Sequence, residues 1–265
     1  MTRKVLVRGV ELNSRDEGEG RLLVWGHGLM SDMEFGDETG LMTPTAADGV
    51  RVVLYDARGH GHSAATLEDD DYQWSSLAED MLGVLDAVGA ETAVLGGASM
   101  GTATALHAAV RAPERVEGLV LTIPPTAWGG RRVQAGIYRA GATVVARAGL
   151  GTFVTVGRAA PAPKILTGEL APVHDAVFRA IERLDSDVVP HILRGAAASD
   201  LPAKETLAQL QMPALILAWA DDPGHPISTA NELARVLPRA DLHVASNADD
   251  VKRWPNLVAE FVRSV

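Results

Sequence analysis

The chain has 265 residues, 47% of them hydrophobic, and a formal net charge of -10. That is enough apolar material for one large core, so a disordered chain or a disulfide-stapled miniprotein is excluded, and the acidic balance argues against a nucleic-acid partner, which needs clustered Lys and Arg. There is no cysteine, which rules out thiolate nucleophiles, Cys-ligated zinc, iron–sulfur clusters and disulfides.

Taken in chain order, Met1 to Arg8 reads as a strand without the apolar stretch of a signal peptide, so a cytoplasmic address is expected. Residues 4–13 alternate weakly and then meet a turn-rich run from Ser14 to Gly20. Arg21 to Trp25 is a short buried strand stopped by Gly26, and Val50 to Tyr55 is another. Leu77, Met81, Leu85 and Val88 fall on one helical face that Gly89 ends. Thr92 to Gly96 reads as a strand, Ala103 to Ala109 as a helix, and Gly118 to Ile123 as a strand. The rhythm breaks from Trp128 to Gln211, which carries helical patches and no strand of comparable quality. It returns with a strand over 213–219, a helix from Ala230 to Leu237, a last strand over 241–245 and a closing amphipathic helix over 257–262.

Short continuous apolar strands separated by helices predict an α/β fold whose mostly parallel sheet is covered on both faces. The core is then 1–127 with 212–265, and 128–211 is a helical cap over the strand ends, where ligands bind in such sheets. No run of about 18 apolar residues is present, so no membrane span and no membrane partner are expected.

Two motifs carry chemistry. Gly97-Ala98-Ser99-Met100-Gly101 follows a buried strand and opens a helix, the G-x-S-x-G pattern in strand–turn–helix context. So tight a turn holds Ser99 in a strained conformation and lifts its hydroxyl above the strand ends, and the following helix aims amides at developing negative charge. As a plain structural turn, the same serine would only cap the helix. Earlier, Gly26-His27-Gly28-Leu29 follows another strand. Its turn presents the Leu29 N–H, which with the Met100 N–H makes a two-donor oxyanion hole. His27 reads as an organiser of that loop.

Together with Asp56-Ala57-Arg58-Gly59-His60-Gly61-His62-Ser63, these motifs resemble the α/β-hydrolase superfamily in order and spacing, over nearly the whole chain outside the cap. The resemblance implies an α/β-hydrolase fold, a nucleophile at Ser99 and a Ser–acid–His triad, with Asp222 as the acid and Asp221 beside it. It also makes the His60 and His62 loop mostly structural. The base is expected after the last strand, yet the window Ser246 to Lys252 holds no histidine, and Ala248 stands in its place. A serine without a base is a poor nucleophile.

His225 is the candidate replacement. It lies in Asp222-Pro223-Gly224-His225-Pro226, a loop at the carboxyl end of a strand, and either reaches Ser99 or is a helix-entry residue before Pro226. Asp249 and Asp250 are the alternative as carboxylate bases, or else solvated acids. His107 and His243 read as packing residues, and His174 and His191 as cap residues that lie on the helix surface or else face the cavity. Asp32, Glu34, Asp37 and Glu38 form an acidic stretch near the entrance: a wet surface, a bar to anionic substrates or a hold on the cap. No metal-binding spacing is present and no cofactor is expected.

The expected function is a serine hydrolase, esterase- or lactonase-like, that takes a small apolar acyl or polyketide-like ester, lactone or thioester through an acyl-enzyme at Ser99. The alternatives are a lyase, cyclase or isomerase on the same fold, or a non-catalytic binding protein, since the usual base is absent. A homodimer stays open.

Overall fold

The computed structural model describes residues 2–40, 44, 46–47 and 49–265. The strands are β1 (Thr2–Val7), β2 (Val10–Glu17), β3 (Arg21–Gly26), β4 (Val50–Tyr55), β5 (Ala93–Ala98), β6 (Val116–Thr122), β7 (Ala214–Trp219) and β8 (Ala240–Ala245). They form one sheet of order β1-β2-β4-β3-β5-β6-β7-β8. The first three strands in that order pair antiparallel, and β4 through β8 run parallel.

The first hairpin corrects the expected turn over Ser14 to Gly20. Ser14 to Glu17 lie in β2 and pair with β4, Ser14 opposite Tyr55 and Glu17 opposite Val52. The chain reverses instead at Arg8 and Gly9, with φ of 46° and 80°, the double positive φ of a tight hairpin turn. Arg15 and Asp16 of β2, one strand in from the edge, are each paired. Asp16 takes both arms of Arg51 at 2.8 and 2.7 Å, and Arg15 forks onto Asp37 at 2.7 and 2.6 Å.

The helices are α1 (Met33–Thr39), α2 (Trp74–Ala87), α3 (Met100–Arg111), α4 (Arg131–Ala148), α5 (Leu150–Ala159), α6 (Ala171–Glu182), α7 (Val189–Ala198), α8 (Lys204–Leu207), α9 (Ile227–Val236), α10 (Ala248–Lys252) and α11 (Trp254–Ser264). Alternate side chains of the central strands feed two cores. Leu22, Val24 and Leu95 pack with Leu77 and Met81 of α2, Leu106 of α3 and Leu233 of α9 on one face. Leu23, Trp25 and Val94 pack with Phe35 of α1, Val173 and Ala180 of α6, and Trp254 and Val258 of α11 on the other. Both faces are therefore covered, as the unbroken apolar strands require. Among the described residues, no helix is long and apolar enough to cross a membrane.

The chain between β6 and β7 is wholly helical among its regular elements and holds α4 to α8. Ion pairs clasp this insert to α1: Arg183 reaches Asp32 at 2.9 and 2.7 Å, and Arg179 binds Glu38. Asp32 is buried and also caps α1 by accepting the Phe35 N–H at 2.8 Å. Part of the acidic stretch is thus a set of contacts to the insert, and Asp37 pairs with β2 through Arg15.

Candidate active site

Three strand ends build the site. After β5 the chain turns through Ser99 at φ 53° and ψ -106°, outside the regions an L-residue prefers, at a cost of about 1–3 kcal/mol. The turn is over-determined by close backbone packing. A Cβ on Gly101 would stand 2.0 Å from the Gly26 carbonyl oxygen, and one on Gly97 would stand 2.5 Å from the same atom. Only hydrogen fits where β3, β5 and α3 converge. The Ser99 N–H donates to the Thr122 carbonyl at 2.9 Å, and the half-buried side chain stands on a cavity of about 340 Å³.

The loop after β3 supplies the second wall. His27 accepts the Ala57 N–H on Nε2 at 2.9 Å, so its Nδ1 carries the proton and donates to the Gly28 carbonyl at 2.8 Å. His60 repeats the arrangement: Nε2 accepts the Met30 N–H at 3.2 Å and Nδ1 donates to the Arg58 carbonyl at 2.8 Å. Burial, with some repulsion from His27, pushes His60 down to about 3, so it stays neutral and keeps its acceptor nitrogen. Both imidazoles hold the loop that carries Leu29. Among the described residues, neither the Leu29 nor the Met100 N–H has a hydrogen-bond acceptor, and Leu29 lies on the cavity wall.

The loop after β7 brings the remaining groups. His225 Nε2 lies 2.8 Å from Ser99 Oγ, and His225 Nδ1 lies 2.8 Å from Asp222 Oδ2. A carboxylate only accepts, so the proton sits on Nδ1 and Nε2 is left to accept from the serine hydroxyl. Asp222 also accepts the Gly224 N–H at 2.8 Å and the Trp219 indole N–H at 3.0 Å. Burial works to raise the Asp222 carboxyl, but these donors and the His225 imidazole outweigh it and hold the group below its ordinary value.

The structure therefore brings Ser99, Asp222 and His225 into one chain of contacts and sets the His27 loop beside them. Asp249 is apart from them: its side chain is 84% exposed, faces Lys252 at 3.4 Å and is off the cavity wall. As an accessory group it is corrected by its place in α10, which turns it to solvent. Asp221 is likewise exposed and paired with Lys164. His107 binds the Asp200 carbonyl, His191 binds Asp69, and His243 binds Asp241. Of the two placements open to His174, the first turn of α6 gives the cavity wall. The sequence reading also passed over Trp219, whose place at a strand end three residues before Asp222 was the available signal.

A serine at a strained elbow, two free amides and an acid–imidazole pair at the carboxyl ends of parallel strands define an α/β-fold hydrolase. Comparison with known proteins agrees. A family model described as the alpha/beta hydrolase fold matches residues 22–134. A 2-hydroxy-6-oxononadienedioate/2-hydroxy-6-oxononatrienedioate hydrolase of Pseudomonas sp. is 30% identical over 216 residues, covering 78% of this chain and 72% of that protein. A 2-hydroxymuconate semialdehyde hydrolase of Pseudomonas putida is 28% identical, covering 98% of this chain and 93% of that protein. A solved esterase of Thermogutta terrifontis superposes with a TM-score of 0.83 at 22% identity, over 100% of this chain and 98% of that one. The chain belongs to the α/β-hydrolase superfamily and is an enzyme of the hydrolase class.

Proposed function

We propose that the chain is a serine hydrolase that opens a small or medium, largely apolar carboxylic ester, lactone or thioester through an acyl-enzyme at Ser99. The observation that carries this reading is the 2.8 Å contact of His225 Nε2 with Ser99 Oγ while Asp222 holds the opposite nitrogen. His225 takes the hydroxyl proton as Ser99 Oγ bonds to the carbonyl carbon. The carbonyl oxygen becomes an oxyanion, received by the Leu29 and Met100 N–H groups. Collapse of that intermediate breaks the bond to the leaving group, which takes the proton from His225. Water then repeats the sequence on the acyl-enzyme: His225 removes its proton, the acid departs, and Ser99 is regenerated.

Asp222 stays ionised throughout, since its donors favour the carboxylate, and it steadies the imidazolium that forms at each half-reaction. The helical insert acts as the cap of this site. Its Tyr138, Leu166, Val173 and Val177 supply wall on the side away from the strand ends. A cavity of about 340 Å³ suits a compact acyl group.

The readings as a lyase, cyclase or isomerase, or as a binding protein, rested on a missing base, and the contact of His225 with Ser99 favours hydrolysis over them. The test is a fluorophosphonate probe with p-nitrophenyl butyrate as substrate. Covalent labelling at Ser99 and turnover lost in Ser99→Ala are expected. Absence of labelling at every pH, with turnover retained in Ser99→Ala, refutes the acyl-enzyme.

A further inference from the structure

Several polar side chains on the cavity wall are already spoken for. His27 spends both nitrogens on Ala57 and Gly28. Trp219, Asp222 and His225 are tied to one another and to Ser99. Tyr138 lies against Arg131, whose guanidinium stands 5.2 Å from the ring centre. The Ser31 hydroxyl is closed off from solvent and has no hydrogen-bond partner among the described residues.

His174 is also unpartnered, and unlike the Ser31 hydroxyl it is only half-buried. It sits in the first turn of α6, half-buried, between Val173 and Val177 in the lining, and packs edge-on against Phe178 with ring centres 5.1 Å apart. Among the described residues, neither of its ring nitrogens has a hydrogen-bond partner. A polar group so placed in an apolar wall needs a partner, either water or something a ligand brings. An apolar ligand that displaced the water would strand the imidazole, whereas a ligand oxygen would replace the lost bond.

We infer that His174 is a specificity-determining residue that donates an N–H to an oxygen carried along the acyl chain, away from the scissile carbonyl. The inference rests on the acyl-enzyme reading and narrows its substrate class to oxo- or carboxylate-bearing acyl groups over plain alkyl ones. Imidazole keeps at least one N–H in either protonation state, so the donor role does not depend on charge. The strand-end loops hold one end of the substrate, at Ser99 and the two amides. The cap supplies the other polar contact, from His174.

The test compares matched p-nitrophenyl esters. Pentanoate is set against 4-oxopentanoate for a neutral oxygen, and hexanoate against the monoester of pentanedioate for a carboxylate. The kcat/KM ratio within each pair is measured for the wild type, His174→Leu and His174→Gln. Reading each variant's ratio against the wild type's cancels intrinsic ester reactivity. In at least one pair, His174→Leu is expected to lower the oxygen-to-alkyl ratio about 5–10-fold, and His174→Gln, which keeps an N–H, to recover part of it. The pair that responds identifies which kind of oxygen is read. Unchanged ratios in both pairs overturn the inference.

A binding measurement separates this inference from the reading beneath it. Ser99→Ala is titrated calorimetrically with ethyl pentanoate and ethyl 4-oxopentanoate, and with ethyl hexanoate and the monoethyl ester of pentanedioic acid. A preference for the oxygen-bearing ester that His174→Leu abolishes upholds His174 even if the wild type hydrolyses none of the p-nitrophenyl esters, an outcome that defeats the acyl-enzyme. Equal binding within both pairs overturns the assignment of His174, whether or not the leucine variant folds, and leaves the acyl-enzyme standing where turnover is seen.

Discussion

Asp222 and His225 stand three residues apart on the single loop after β7, and their side chains meet at 2.8 Å. Acid and base therefore ride on one short piece of backbone, which carries Pro223 and Pro226 and is tied by the Gly224 N–H to Asp222 Oδ1. The helix that begins at Ala248 is left free of this role, and Asp249 and Asp250 of its first turn are used locally, Asp249 on Lys252 and Asp250 on the Ser246 N–H.

Loss of any one member should disable the set. Ser99→Ala or His225→Ala is expected to cut kcat by about 10⁵–10⁶-fold, and Asp222→Asn by about 10⁴-fold. Ser99→Ala combined with His225→Ala should cost no more than either alone, because one without the other has nothing to do. Steady-state hydrolysis of p-nitrophenyl butyrate reads all four variants. Additive losses in the double variant would show that His225 does not serve Ser99.

Much of this was legible before any coordinates. β3 to β8 fall close to the runs read from Arg21, Val50, Thr92, Gly118, Pro213 and Asp241; for β3 to β7 the reason is that strands buried on both faces are continuous in apolar residues, whereas β8 is an edge strand with only Ala245 buried. The edge was harder: Ser14 to Glu17 look like a turn, and their strand is stabilised by Arg51 and Asp37, partners 35 and 22 positions away. For the same reason α1 was invisible, since its acidic residues are matched by arginines of the distant α6. His225 could be named from its loop alone. His174 could not, because which side of an insert helix faces the cavity depends on how the insert docks, and local periodicity does not record that.

His60 makes stability depend on pH in a stated direction. Its ring is buried and pushed down to about 3 from an ordinary 6.5. Above pH 6.5 neither the folded nor the unfolded state protonates it, so its full contribution is present. As the pH falls from 6.5 toward 3, the unfolded chain binds a proton that the folded chain refuses, and stability drains away at up to about 1.4 kcal/mol per pH unit. Thermal melts from pH 7 to pH 4 should show this fall, and His60→Asn should flatten it while lowering the Tm at pH 7. A wild-type slope that survives in His60→Asn would assign the effect elsewhere.

The Arg183–Asp32 pair links the insert to the loop after β3 that carries Leu29. Asp32 is buried, which works to raise its carboxyl, but Arg183 and the Phe35 N–H outweigh this and hold it low. Its contribution is whole above the ordinary carboxylate range and is lost as the pH falls through the depressed value. Arg183→Gln leaves a buried carboxylate without its cation and should cost roughly 2 kcal/mol of stability. Because α6 also carries cavity wall, KM for p-nitrophenyl esters should rise in this variant while Ser99 still takes the fluorophosphonate. Denaturant melts and KM values check the two halves separately.

Trp219 is expected to act through Asp222. Its indole N–H donates to Oδ2, the same oxygen that receives His225 Nδ1, and its ring packs against Trp254 with centres 5.9 Å apart. Trp219→Phe keeps an aromatic ring and removes the donor, so burial is opposed by fewer partners and the Asp222 carboxyl climbs toward its ordinary range. Two consequences follow in sign. Loss of one hydrogen bond to a charged group should lower kcat about 10-fold, since a more loosely held carboxylate orients the imidazole less well. Asp222 must be ionised to accept from Nδ1, and a raised carboxyl is neutralised sooner on acidification, so the acid-side loss of kcat should set in at higher pH than in the wild type. Trp254→Phe touches the stacking and not the carboxylate, and should move neither quantity. A Trp219→Phe enzyme with the wild-type acid profile would mean that the indole only fills space.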